Sequence, residues 1–408
     1  MKWLKSLDKS LFGWGSPVTF GVVRIVTAGL ALVNFLMVAV DFDAWFTERG
    51  FTPLWHAVKW GSLGREPWWG GEVPRVNLLA NVTDVRVTAA VYILCCVACF
   101  TTMIGLWTRL SSILMFVFMV SLHHRAPDIL HSGDTLLRQM TILVMLAPSG
   151  AACSLDRLFA LWRGRAALEP AQVSLWPQRL MQYQVTVVYF TTAWHKATGS
   201  HWRDGTATWF VPQLHEFDRF PVPAFFDQQP FVAITTYSTL LIELAVAFLA
   251  YAKPLRMWVL LAGVALHAGI EYRFNIPLFS FVMCSTYLAF FDGEEYSAFA
   301  KKVGQKWKSA RLLVLTPRGT GLSPRGRVVL NALDVFKLLE FETGESDQWV
   351  ARNSRGPVKN PLLAALMRCP GAWALLVAPG LWKRLMSKTL TPFVSQNPAL
   401  ATAETVQS

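Results

Sequence analysis

The sequence predicts an all-α polytopic membrane bundle of about eight spans, followed by a small α/β C-terminal domain. Composition is the first reason: of 408 residues 53% are hydrophobic, including 27 Phe and 18 Trp, and only 16% are charged, against ~25% in soluble domains. Spacing is the second, because several runs approach the ~20 apolar residues that cross hydrocarbon. The third is a change of pattern after about residue 295. There RLLVLTPRGTGLSPRGRVVLNALDVFKLLEFE reads as strand, turn, helix, strand.

The apolar windows fall in order at roughly 17–40, 87–107, 109–122, 135–150, 182–198, 230–251, 257–271 and 276–291. Windows of about 15 residues are short against the bilayer, so they are expected to tilt, re-enter or pack inside the bundle where protein covers their ends. Before them, the basic and aromatic MKWLKSLDKSLFGWGSP lacks a compact apolar core ending in a small-residue cleavage site. It reads as a retained juxtamembrane segment. Residues 1–295 thus form the membrane domain, 309–388 the small α/β domain and 389–408 a disordered tail.

Orientation follows Lys and Arg in the loops. With eight spans, Lys2, Lys5 and Lys9, then Arg157, Arg163, Arg165 and Arg179, then Lys253 and Arg256, then Lys301, Lys302, Lys306, Lys308 and Arg311 all fall on one side. That side is cytoplasmic, and both termini are expected there. The net charge of +12 is accounted for by this bias and a basic tail, so lipid and not nucleic acid is the expected partner.

The polar residues gather on the opposite side. In TTAWHKATGSHWRDGTA (191–207), His195, Lys196, His201, Arg203 and Asp204 follow the apolar QVTVVYF; His131 and Asp134, and His267 and Glu271, lie near other span ends. Ionisable residues at membrane depth face a bundle interior or an aqueous cavity and mark function. The plainer alternative is that Lys196 snorkels to the interface, with Trp194 and Trp202 as belt residues.

Several motifs, in order and with matching spacing, resemble the horizontally transferred transmembrane domain of the vitamin K-dependent γ-carboxylase family over about residues 10–295. They are Arg24-Ile25, HSGDTLLR at 131–138, the run from Gln184 to Ala207 with Tyr189, His195, Lys196, Trp202 and Arg203, the lone Glu243 in TLLIELAVAF, and LHAGIEYRFNIPLFSFVMCSTYLAFF at 266–291. The resemblance implies a lyase-type membrane enzyme that oxygenates reduced vitamin K or another quinol and thereby generates a base toward a peptide or protein glutamate. It places Lys196 as the base acting on the quinol, with His131 and His267 as further catalytic residues. Leu130 precedes His131 where the family has asparagine. His195, Trp202, Arg203, Asp134 and Glu243 are the candidate binding residues. A lysine suits the role only where burial disfavours its cation, and His195 beside it would then tune it by charge or hydrogen bond. The tail differs from the large extracytoplasmic region of the carboxylases, so the substrate is expected to differ. The alternative is a non-catalytic receptor, immunity or transport protein retaining the fold.

Other clusters carry less. Cys96-Val97-Ala98-Cys99, preceded by Cys95, sits in mid-span in ILCCVACF; a redox pair needs a thiolate and access to a partner, so packing is the expectation and quinone redox the alternative. His267 and Glu271, at i and i+4, with His131 and Asp134 offer metal-type ligands, but no second i,i+4 histidine pair supports them and no metal is expected. Arg24 is expected to pair with an acid such as Glu243 or to snorkel. The tail resembles a thioredoxin-like module whose two cysteines are replaced by Thr320 and Ser323, which removes dithiol exchange. The stretch at 362–385 is expected to form surface helices and not a ninth span. A reporter fused after residue 165 is expected on the cytoplasmic side and one inserted near 215 on the opposite side; reversed readouts would overturn this map.

Overall fold

A computed structural model describes residues 11–62, 77–210, 213–307, 311–316, 328, 331–343, 350–353 and 356–358. Thr320, Ser323, the 362–385 stretch and the tail at 389–408 lie outside these. The chain divides into two compact units: residues 1–156 with 170–296, and residues 157–169 with 297–408.

The first unit is helical, and each apolar window falls on a helix: α1 (Val18–Val38), α2 (Val85–Ile104), α3 (Thr108–Arg125), α4 (Ser132–Leu146), α5 (Trp176–Thr198), α6 (Gln229–Leu249), α7 (Lys253–Arg273) and α8 (Phe279–Thr286), the last extended by a 3-10 turn Tyr287–Phe290. Three segments, Val18–Phe46, Val85–Ile104 and Gln229–Leu249, are long and apolar enough to cross a membrane. The protein is an integral membrane protein.

Boundaries differ from the windows where polar residues sit inside helices. The window 182–198 begins six residues earlier, because Pro177 opens α5 and Gln178 and Gln182 are buried against the carbonyl of Ala289 at 2.9 and 2.8 Å. The window 109–122 likewise extends through His123 and Arg125, both buried. A hydropathy window stops at such residues, whereas the backbone needs only that their side chains find partners inside the protein.

Consecutive helices pack as neighbours: α1 on α2, α2 on α3, α3 on α4, α5 on α6, α6 on α7. The short α8 touches α1, α4, α5 and α7, and so lies inside the bundle as its length requires. One core contains Phe20, Ala28, Tyr92, Met115, Leu137, Val185, Val246 and Met283. Cys95 and Cys99 are wholly buried in it, and both are free thiols.

Arg24 neither pairs with Glu243 nor snorkels. It is fully buried and donates to the carbonyls of Ser149 at 3.2 Å and Cys153 at 2.5 Å, which ties α1 to the chain leaving α4. The neighbouring turn depends on glycine: Gly105 closes α2 at φ +71°, and a Cβ there would collide with the Arg24 guanidinium. Asp156 then caps α3 through the N–H groups of Trp107 and Thr108, at 2.8 and 2.7 Å. Arg24, Gly105 and Asp156 thus satisfy backbone groups at helix ends and turns that lipid leaves unpaired.

The second unit carries a four-stranded sheet of β3 (Leu312–Thr316), β4 (Leu339–Thr343), β5 (Val350–Asn353) and β6 (Gly356–Val358), while the two-residue strands β1 (Trp14–Gly15) and β2 (Val173–Ser174) pair in the first. The order is β4-β3-β5-β6. β3 and β4 run parallel, so a crossover joins them, and the remaining pairs are antiparallel. The sequence-expected α/β tail is present at this level. Replacing Cys95, Cys96 and Cys99 together by Ala is expected to lower stability by about 1–3 kcal/mol with binding or turnover near that of the parent. Loss of activity in a variant with unchanged thermal unfolding would restore a redox role.

Candidate functional site

The helix faces decide which residues meet. On α5, Tyr189, Ala193 and Lys196 recur at i, i+4 and i+7, a single face, and Tyr189 and Ala193 are buried. Phe190 and Trp194 lie on the outer face, their rings tilted to one another with centroids 6.3 Å apart. On α6 the buried face runs through Val232, Thr236, Thr239, Glu243 and Val246; on α7 it runs through Arg256, Leu260, Gly263 and His267. Three apolar helices therefore each turn one polar residue toward the same interior.

Lys196 Nζ donates to Glu243 Oε1 across α5 and α6. The carboxylate side chain is 7% exposed and the lysine 28%, so the carboxylate is buried and the ammonium reaches toward the surface of the bundle. The ammonium also lies 5.0 Å from the Trp202 ring centroid, a cation–π distance. Glu243 Oε2 is buried without a hydrogen-bond partner.

Deeper in α5, Tyr189 bonds His267 Nε2 at 2.6 Å and also the Tyr287 hydroxyl. Gly263 admits that hydroxyl, since a Cβ there would strike it. His267 lies within electrostatic range of Lys196, and both tyrosines lie within range of Glu243, so the chain and the ion pair form one cluster. His267 Nδ1 is buried and unpartnered, as is Ser280 Oγ in the first turn of α8. Buried polar atoms are nearly always bonded, and these three are among ten without a partner in the described residues.

His131 takes part from the other side. It is the N-cap of α4, with Nδ1 accepting from Gly133 N at 2.9 Å while Asp134 accepts from the His131 N–H at 2.9 Å, a capping box. Asn34 on α1 donates to the second Asp134 oxygen at 2.6 Å. Phe279 lies edge-on to both His131 (6.4 Å) and His267 (5.7 Å), and Leu278 before it holds φ +57°, a strained conformation for a bulky residue.

The structure thus gathers Lys196, Glu243, Trp202 and His267, and sets His131 and Asp134 beside them across Phe279. His195 does not join: adjacent helix residues face apart, and it is exposed, so it neither charges nor bonds Lys196. The Arg203 side chain is also exposed; its carbonyl, which accepts from Tyr237, is the bonded part. Glu271 is held by Arg219, which removes it from the His267 pair. Among the described residues no group of three or more His, Cys, Asp or Glu is disposed to hold a metal ion. Sequence reasoning missed Tyr287, Phe279 and Ser280, and gave Tyr189 no role. For Tyr189 a signal existed, its position two helical turns before Lys196.

An α-helical integral membrane protein with a cluster of ionisable residues from several helices in its interior is the class defined here. The chain belongs to the HTTM domain family, which matches residues 69–294 and is found in vitamin K-dependent carboxylase-like membrane proteins. No curated protein and no solved structure matches it. The matched stretch contains every member of the cluster except Asn34. Glu243→Gln or Lys196→Met alone is expected to lower thermal stability by about 2 kcal/mol, less than a wholly buried pair because Lys196 is partly exposed. The double variant Lys196→Met/Glu243→Leu is expected to regain at least half of that. Additive losses in a double-mutant cycle would show that the two do not interact.

Proposed function

We propose that the protein is a membrane enzyme that uses Lys196 as a base on a reduced quinone at the non-cytoplasmic face, with eight spans and both termini cytoplasmic. The supporting observation is the Lys196–Glu243 pair, whose carboxylate is buried and keeps Oε2 unpartnered, with the unpartnered His267 Nδ1 in the same cluster. Glu243 Oε2, His267 Nδ1 and Ser280 Oγ fit the two oxygens of a quinol, and Phe279 and Trp202 offer rings to its apolar body. When bound, a quinol such as reduced vitamin K would supply the electrons for oxygen chemistry.

The residues themselves handle protons. Lysine is a base only as the neutral amine, and Glu243 is the nearest group able to take the ammonium proton: Lys-NH3+ and Glu-COO− become Lys-NH2 and Glu-COOH. In a low-dielectric site the neutral pair avoids burying two charges. The amine then accepts a substrate proton. His267, bonded through Nε2 to Tyr189, keeps Nδ1 available to donate or accept, and the Tyr189–Tyr287 hydroxyls fix its ring. His131, with Nδ1 committed to the α4 cap, presents its Nε2 edge near Asp134 (3.4 Å); its role is to position Phe279 and a substrate group. A peptide or protein glutamate is the substrate class that the family suggests. The C-terminal unit is proposed to be a thioredoxin-like module kept for packing or binding, a reading supported by the parallel β3–β4 pair followed by antiparallel β5 and β6.

The test is turnover of reduced quinone with oxygen, followed by mass spectrometry of quinones and co-expressed proteins. Lys196→Met and Lys196→Arg are each expected to lower turnover at least ~100-fold with folding preserved, because arginine stays protonated; His131→Ala and His267→Ala fall between these and the parent, or lower. An arginine variant with parental activity would remove Lys196 from catalysis and favour the non-catalytic receptor or transport reading.

A further inference from the structure

The segment joining α5 to α6 ends in Phe220-Pro221-Val222-Pro223-Ala224-Phe225-Phe226, seven residues without a charged or hydrogen-bonding side chain. Phe217, Phe220, Phe225 and Phe226 are each 37–51% exposed. Contiguous exposed aromatics of this extent mark an interaction surface.

The segment is held in place by polar contacts to the end of α7. Arg219 pairs with Glu271, Arg273 with Asp227 at 3.2 Å, Asn275 N donates to the Phe217 carbonyl at 2.6 Å, and the Tyr272 hydroxyl donates to the Pro221 carbonyl at 3.1 Å. The charges flanking the aromatic stretch are thus paired, and the carbonyls of Pro221, Pro223 and Phe225 each accept a hydrogen bond. Pro221 and Pro223 have no N–H to leave unbonded, and Phe226 N bonds the Pro223 carbonyl at 3.0 Å. The other N–H groups of this stretch find no acceptor within the protein among the described residues, so it suits a depth where water and lipid headgroups supply acceptors and not the hydrocarbon centre.

Its outer surface continues two lipid-facing stripes. Phe225 and Phe226 pack on Phe231 at 5.1 and 6.0 Å, and Phe231 heads the exposed α6 stripe of Ile234, Leu241, Leu244 and Phe248. Phe220 packs on Tyr272 at 5.4 Å, which ends the exposed α7 stripe through Trp258, Leu261, Ala265 and Ala268. Because α6 meets the membrane criterion, the apolar surface beyond its first turn is continuous with its lipid interface.

From this continuity we infer that residues 217–226 lie in the headgroup–acyl boundary of the leaflet at this end of the bundle, with phospholipid as the occupant. Aromatic rings favour that depth, and the prolines and non-helical backbone exclude the hydrocarbon centre. The inference rests on the membrane fold and not on the proposed chemistry.

A spin label on Phe226→Cys, in the full chain with Cys153→Ser and reconstituted in phosphatidylcholine bilayers, reads the depth; protein without the added cysteine is the blank. Collisions with oxygen are expected to exceed those with a water-soluble nickel chelate at least twofold. Nickel access exceeding oxygen access overturns the proposal, and access to neither reagent overturns it in favour of a covering protein surface. The unmodified chain provides an independent check. A phospholipid with a diazirine high in its acyl chain is expected to crosslink within the peptide 220–256 at Phe220–Phe226; adducts confined to residues 231–249 would place the loop in water.

Discussion

The burial of ionisable side chains between apolar helices is the constraint on which this architecture turns. A lone ammonium or carboxylate inside the bilayer is strongly disfavoured, so Lys196 on α5 and Glu243 on α6 fix each other's position and with it the rotation of both helices about their axes. Turning either helix by one residue would expose Glu243 to lipid and send Lys196 outward beside Trp194. The ion pair therefore selects which faces of α5 and α6 meet. Everything else at the site, from Tyr189 two turns deeper to Trp202 above, inherits its place from that choice.

Small residues make the arrangement possible. Ala193 lies between Tyr189 and Lys196 on the buried face of α5, and Gly263 opens the space on α7 that the Tyr287 hydroxyl fills. In membranes helices associate largely through such close packing and interhelical hydrogen bonds. The interior short helix α8 brings Phe279, Ser280 and Tyr287 against the polar faces of its neighbours, a position open only to a helix whose ends protein covers.

Much of this was legible in the sequence, and what was not has identifiable causes. Helix existence followed from apolar runs, and the family motifs marked Lys196, Glu243 and His267. The HSGD stretch carried a local signal, since His131 and Asp134 cap their own helix. The partner of Arg24 was not legible because carbonyl acceptors exist at every residue and leave no mark in sequence. The sequence alone treated Lys196 and His195 as a unit, whereas the 100° step of a helix separates them. Tyr287 and Phe279 were hidden in an apolar run because their contacts with Tyr189 and His131 join residues far apart along the chain.

The two ends of the bundle treat their buried charges differently, and the difference locates chemistry. Arg24 is wholly buried: its terminal nitrogens bond carbonyls at a turn that Gly105 makes tight, while its Nε has no partner. Its role is to staple helices. At the opposite end Lys196 retains partial exposure, its carboxylate partner keeps one unbonded oxygen, and the adjacent histidine keeps one unbonded nitrogen. A structural ion pair gains nothing from such unsatisfied atoms, which destabilise the fold. Under the proposed function, an incoming quinol would complete these hydrogen bonds, so the stability forgone there would be returned as binding energy beside the Lys196–Glu243 pair.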